Sequence, residues 1–175
     1  MAVLFCDLRG YTSFADAVEP EELMSVLKEF HEAIGRLVHR FQATVGALAG
    51  DGVEVFFNDP IEVPDPALRA VKVGCALREE LGELTARWKK RGYDLDFGAG
   101  IALAYATCGE IGFEGRSDYA AIGSVTNLAA RLSDEATGGQ IRIVEVEEVG
   151  AYELKGFRAP VTALNVVGVR EPAAA

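Results

Sequence analysis

Apolar and polar positions follow two rhythms along this chain. Residues 2–7, AVLFCD, are nearly all apolar, which predicts a strand covered on both faces and ending at Asp7. Over residues 19–41 the apolar side chains Leu23, Leu27, Phe30, Ile34, Leu37 and Phe41 recur at helical spacing. Pro20 suits the first turn of that helix, with Glu19, Glu21 and Glu22 at its positive end and His39 and Arg40 at the other. Residues 45–57, VGALAGDGVEVFF, return to a period of two and predict a hairpin turning at Gly50-Asp51-Gly52. Val53, Val55 and Phe57 fall on one face of it, Glu54 and Phe56 on the other. A loop with Pro60 and Pro64 follows. Asp65-Pro66 then opens a second long helix to about residue 91, with Leu68, Val71, Leu77, Leu81, Leu84 and Trp88 inward and Gly92 as the stop.

Residues 94–104 alternate, with Leu95, Phe97, Ala99, Ile101 and Leu103 on one side. Residues 105–122 read as a hairpin with a glycine-rich tip at 113–117, which suits either a reach to a partner subunit or a mobile loop. A third helix over 124–136 turns Val125, Leu128, Ala129, Leu132 and Ala136 inward, and Asn127 and Arg131, four apart, share another face. Strands over 141–146, 148–154 and 161–169 complete the inventory, and 171–175 form a frayed, disordered tail. The order contains β-α-β-β-α-β. The expected class is therefore α/β (α+β), a ferredoxin-like or palm core whose mostly antiparallel sheet is flanked by helices, in one domain over 1–170.

Composition narrows the partners. The chain has 175 residues and a formal net charge of −10, which argues against nucleic acid but leaves room for a small anion held by local donors and a metal. Cys6, Cys75 and Cys108 are odd in number and widely spaced, as buried thiols of a reducing, cytoplasmic setting would be. No apolar run has the length of a membrane span, so no membrane contact is expected of this domain. Met1 leads straight into a strand, as in a catalytic module cut from something longer.

The chemistry concentrates at two acids. Asp7 ends one apolar strand and Asp51 tips a hairpin; acids so placed are costly unless a cation sits there. Two carboxylates beside the amide-rich turn Leu8–Thr12 suit a divalent ion that also takes substrate phosphates. His31-Glu32 does not continue into a zinc-binding H-E-x-x-H, because position 35 is Gly, so His31 reads as a solvated helix residue. Gly98-Ala99-Gly100 lacks the third glycine and the following helix of a dinucleotide fingerprint.

The blocks FCDLRGYTSF, AGDGVEVFF, DYAAIGSVTNLAARL and ELKGF resemble those of the class III adenylate and guanylate cyclases, in order and spacing, from Val3 to about Val169. The resemblance implies metal binding by Asp7, Asp51 and the backbone of Leu8, with two Mg²⁺ or Mn²⁺ ions. It implies triphosphate binding by the amides of Gly10, Tyr11 and Thr12 and by Lys155. Asn127 and Arg131 match the residues that act on the ribose and the reacting phosphate. The implied partners are ATP and/or GTP and a second copy arranged head to tail, one copy giving Asp7 and Asp51 and the other Asn127, Arg131 and Lys155. The implied reaction forms a 3′,5′-cyclic monophosphate and pyrophosphate.

Four departures stand out. The two positions that read the purine in such cyclases are Ala47 and Ala120, and neither methyl can hydrogen-bond a base. Poor selectivity between ATP and GTP, or low affinity, is the expectation, with Asp118, Arg116 or Ser124 as substitutes if the hairpin register shifts. Thr126 stands where Val is usual before the Asn, and the span from Gln140 to Lys155 is short. The competing readings are an inactive cyclase-like dimerisation or regulatory domain, and another palm enzyme such as a diguanylate cyclase, whose Gly-Gly-acid-acid-Phe turn is missing here.

Overall fold

The computed structural model describes residues 1–143, 150–152 and 161–166. β1 (Ala2–Arg9) leads through α1 (Tyr11–Ala15) into α2 (Pro20–Phe41), and β2 (Thr44–Ala49) and β3 (Gly52–Phe57) form the first hairpin. α3 (Pro66–Lys90) precedes β4 (Asp96–Leu103). β5 (Thr107–Phe113) and β6 (Arg116–Ile122) form a separate two-stranded ribbon, followed by α4 (Ser124–Asp134). β7 (Gln140–Ile143), β8 (Gly150–Tyr152) and β9 (Val161–Asn165) close the order. The expected strands at 141–146, 148–154 and 161–169 survive as these shorter pieces; the rest of those spans, the 171–175 tail and Lys155 lie outside the described residues.

The main sheet runs β2-β3-β1-β4-β7-β9-β8, antiparallel except where β4 meets β7. Its β1-α2-β2-β3-α3-β4 part is the palm arrangement expected from the element order. Strand β1 is central, paired on one side to β3 and on the other to β4. Alternation therefore sends its residues to two different cores. Leu4, Cys6 and Leu8 join Val53, Val55, Phe57, Phe97, Ala99 and Ile101 under α2 and α3. Val3 joins Phe56 and Ala102 under α4, with Val125, Ala129 and Leu132.

Two helix stripes differ from the expectation. In α2 the deep positions are Val26, Phe30, Ala33, Ile34 and Leu37, while Leu27 lies at the edge of the stripe, half-buried. In α3 the stripe enters through Ala70, Val73 and Gly74, and Leu68 is exposed. Small residues are needed there because α3 lies close to the sheet: a Cβ on Gly74 would stand 3.1 Å from Ile141 Cγ2. Asp65 precedes α3 but caps nothing with its side chain. Leu103, at the end of β4, is exposed rather than inward.

The glycines of β4 have a packing role. A side chain on Gly100 would run into the backbone of α4 at Ala129 and Ser133. The Ser133 hydroxyl donates to the Gly98 carbonyl at 3.2 Å, so helix and strand touch directly.

Candidate active site

The two acids meet at one end of the sheet. Asp7 pairs in register with Gly52, so Asp51 in the β2–β3 turn is one residue away from Asp7's cross-strand neighbour. The turn consists of Gly50 and Asp51, with Ala49 opposite Gly52. Gly50 alone of that pair has a positive φ, +62°. Glycine at the first central position is the II′ pattern, so the turn sits one residue earlier than an Asp-Gly turn would.

Asp7 lies on the α4 side of the sheet, half-buried. Arg9, two residues along the same face, donates to its carboxylate and to the carbonyls of Ser133 and Ala136 at the end of α4, the last at 2.9 Å. Gly98, opposite Asp7 on β4, leaves the room that this guanidinium fills. Burial pushes the Asp7 carboxyl above its ordinary range; Arg9 opposes this, and the charges of Asp134 and Asp51 add to it. Sequence reasoning did not single out Arg9; a basic residue two positions after a strand-end acid was the available signal.

His31 is not merely solvated. It is half-buried, and its Nε2 lies 2.9 Å from the Gly50 carbonyl. A carbonyl only accepts, so the ring nitrogen donates, and α2 thereby braces the turn that carries Asp51. The contact spans 19 residues of chain, beyond the reach of any local pattern.

The turn after β1 needs glycine. Gly10 has φ +80°, and a Cβ there would stand 2.5 Å from the Asp94 carbonyl oxygen. α1 starts at once with Tyr11 and Thr12, whose amides, like those of any first helical turn, lack intrahelical acceptors. Leu8 is buried, between Asp7 and this turn.

Asn127 and Arg131 leave the solvent side of α4, away from the buried side made by Val125, Ala129, Leu132 and Ser133. Arg131 pairs with Asp134 at 3.1 Å on that outer surface. The structure thus gathers Asp7, Leu8, Asp51 and the Gly10–Thr12 turn, while Asn127 and Arg131 project to solvent from α4, Arg131 onto Asp134, whose charge is felt at Asp7.

Ala47 is exposed on β2 and lies opposite Glu54, beside a bulge at Gly46. Ala120 is half-buried on β6, opposite Gly109. The ribbon pairs without a break from Thr107↔Ile122 to Phe113↔Arg116, so Asp118 and Arg116 remain toward its exposed tip, and Ser124 is exposed at the start of α4. β6 packs beside β2, and Tyr119 donates to the Asp59 carboxylate, with its ring 6.2 Å from that of Phe56. That hydrogen bond pushes the Tyr119 phenol up to about 12. Thr126 donates to the Ala121 carbonyl at 3.1 Å, a helix-entry contact that the usual Val would lack.

Among the described residues no three His, Cys, Asp or Glu side chains gather as a metal cage. Asp7 and Asp51 are two carboxylates at one end of the sheet, the first raised chiefly by burial and further by the charges of Asp134 and Asp51. This donor set fits an oxygen-seeking ion that shares its coordination with phosphates and water, as Mg²⁺ and Mn²⁺ do.

The palm sheet with two acids at one end and a glycine turn beside them is the fold of the cyclase type of catalytic domain. The family model described as "Adenylate and Guanylate cyclase catalytic domain" matches residues 1–163, and the chain belongs to that family. An adenylate cyclase of Anabaena cylindrica is 31% identical over 134 residues, covering 75% of this chain and 26% of the relative. Adenylate cyclase 1 of Rhizobium meliloti (strain 1021) is 25% identical over 183 residues, 97% of this chain and 28% of the relative. The chain thus spans about a quarter of the length of these curated relatives. The crystal structure of the adenylyl cyclase CyaB from P. aeruginosa superimposes with a TM-score of 0.89 at 31% identity, covering 97% of this chain and 94% of that one. The guanylyl cyclase Cya2 gives 0.83 at 33%, covering 98% and 93%. Among the described residues no helix is long and apolar enough to cross a membrane.

Proposed function

We propose that this domain converts ATP and/or GTP to the 3′,5′-cyclic monophosphate and pyrophosphate, in clefts between two copies arranged head to tail. The observation that carries the reading is the split site. Asp7 and Asp51 share one end of the sheet, while Asn127 and Arg131 point away from the buried face of α4 into solvent. In this reading a substrate held by Asp7 and Asp51 of one copy meets the solvent-facing Asn127 and Arg131 of the other.

Asp7, Asp51 and the Leu8 carbonyl would hold up to two Mg²⁺ or Mn²⁺ ions, which when bound would lower the pKa of the 3′-hydroxyl and neutralise the triphosphate. The amides of Gly10, Tyr11 and Thr12 donate to the phosphate oxygens, because a first helical turn offers unpaired donors and a positive dipole end. Lys155 of the other copy pairs with the outer phosphates. Asn127 orients the ribose so that its 3′-oxygen lies in line with the α-phosphorus. Arg131 stabilises the charge that builds on the reacting phosphate, exchanging its exposed contact with Asp134 for the substrate. Arg9 opposes the upward push of burial on the Asp7 carboxyl and ties it to the end of α4.

Exposed apolar residues support the pairing of copies. Tyr105 is 97% exposed and Phe113 75%, and Ile111 in β5 and Leu48 in β2 are also open to solvent. The direct test is product analysis after incubating the purified protein with ATP and GTP in Mn²⁺. Cyclic monophosphate should form, and Asp51→Ala should abolish it. Nucleotide binding without any cyclic product would refute the reading.

A further inference from the structure

Ala47 and Ala120 leave the base end of the proposed cleft without a polar side chain of their own, yet a carboxylate is buried on β3, opposite the first of them. Glu54 is the direct cross-strand partner of Ala47 and shares its face of the sheet. It is only 7% exposed, and among the described residues its Oε1 accepts no hydrogen bond. An ionisable group so buried and unpaired is costly to the fold and marks a position kept for another purpose.

Its direction is fixed by the backbone. A Cβ on Gly46 would stand 3.1 Å from the Glu54 carboxyl carbon, so the side chain leans over β2, across the bulge beside Ala47, and away from β1. Gly46 is what lets it lie there. The other wall is the β5–β6 ribbon. Cys108, paired with Ala121 next to Ala120, has its thiol pushed up by burial first and then by the charges of Asp59 and Glu54, which places Glu54 within electrostatic reach of that strand. The carboxyl thus occupies the corner that a longer side chain at position 47 would enter from the opposite strand.

Resting on the cyclase reading above, we infer that Glu54 is the specificity-determining residue of this domain, its carboxylate reading the Watson–Crick edge of guanine. A carboxylate offers only acceptors. Guanine presents two adjacent donors, N1–H and N2–H, which match both oxygens; adenine presents one donor and one acceptor, which do not. Guanine would supply the partner that Oε1 lacks, whereas adenine leaves acceptor facing acceptor. The sequence pattern shows Glu54 as the single charge in an apolar strand, but only the register reveals that it faces Ala47.

The test is Glu54→Gln, which keeps the shape and replaces one acceptor with a donor. Rates of cyclic GMP and cyclic AMP formation are measured in Mn²⁺ for both proteins. Displacement of a fluorescent nucleotide by 3′-deoxy-GTP and 3′-deoxy-ATP, which cannot cyclise, is measured alongside. Wild type should favour the guanine compounds, and the variant should lower the guanine-to-adenine ratio by about ten- to hundredfold, the worth of a charged hydrogen bond. A ratio unchanged in both assays, or a wild-type preference for adenine, overturns the assignment. Absence of product from either nucleotide refutes the catalytic reading instead, and the displacement ratio then still decides the role of Glu54.

Discussion

Mixing two inactive variants should restore activity. Asp51 sits in the β2–β3 turn beside Asp7, and Arg131 on the outer side of α4, so in a head-to-tail pair each copy lends its acids to one cleft and its helix to the other. Asp51→Ala removes a metal carboxylate from both clefts of its own dimer. Arg131→Ala removes transition-state stabilisation, a loss of about hundredfold or more. When subunits exchange at random, about half the dimers are mixed, and each mixed dimer has one intact cleft and one doubly defective cleft. Activity should therefore return to about one quarter of wild type, far above either variant alone. The assay is the initial rate of cyclic nucleotide formation in Mn²⁺ after mixing, with differently tagged copies so that mixed dimers are counted. If mixed dimers form and the mixture is no more active than its parts, the shared-cleft reasoning fails.

His31→Ala should loosen the turn bearing Asp51, raising the half-saturating Mn²⁺ concentration by about two- to tenfold, the worth of one hydrogen bond, with little change in thermal midpoint. An unchanged metal requirement would show that the brace is idle. Gly100→Ala should push α4 off β4 and cost about 3 kcal/mol or more in denaturant unfolding, because the clash is with backbone at Ala129 and Ser133. Glu54 gives a pH signature. Burial raises its folded pKa above the ordinary 4.5, so the folded state holds the proton more firmly than the unfolded chain. Stability contributed by this group thus falls as pH rises from 4.5 through the raised folded value. Glu54→Gln should match wild type in thermal midpoint below that window and exceed it above; equal midpoints at pH 8 would contradict the burial argument.

The main elements of the palm and the pairing of the acids were legible because their signals are local. Alternation in VEVFF, the glycine turn before Asp51 and the helical stripe of α2 each occupy one short window. What escaped was set by tertiary distance. Leu27 and Leu68 satisfied a helical spacing, yet which of several apolar positions goes deepest depends on the angle at which the helix meets the sheet, and Val26, Ala70 and Gly74 won. His31 met Gly50 only because α2 runs back past the hairpin. The role of Gly98 and Gly100 was invisible until α4 lay against β4. Glu54 was assigned the correct face from the sequence, but its relation to Ala47 required the register of two strands and a bulge.

The sheet's two sides divide stability from chemistry. The side under α2 and α3 carries Trp88, Phe30, Phe57, Phe97 and the large aliphatic residues, while the other has a smaller set beneath one short helix and a ribbon. The large anchors lie where no nucleotide reaches in the proposed arrangement. Side chains on the lighter side, such as positions 47 and 120, are therefore free to be exchanged generation after generation with small thermodynamic penalty, so a lineage built on this scaffold can change its preferred base without first having to re-learn how to fold.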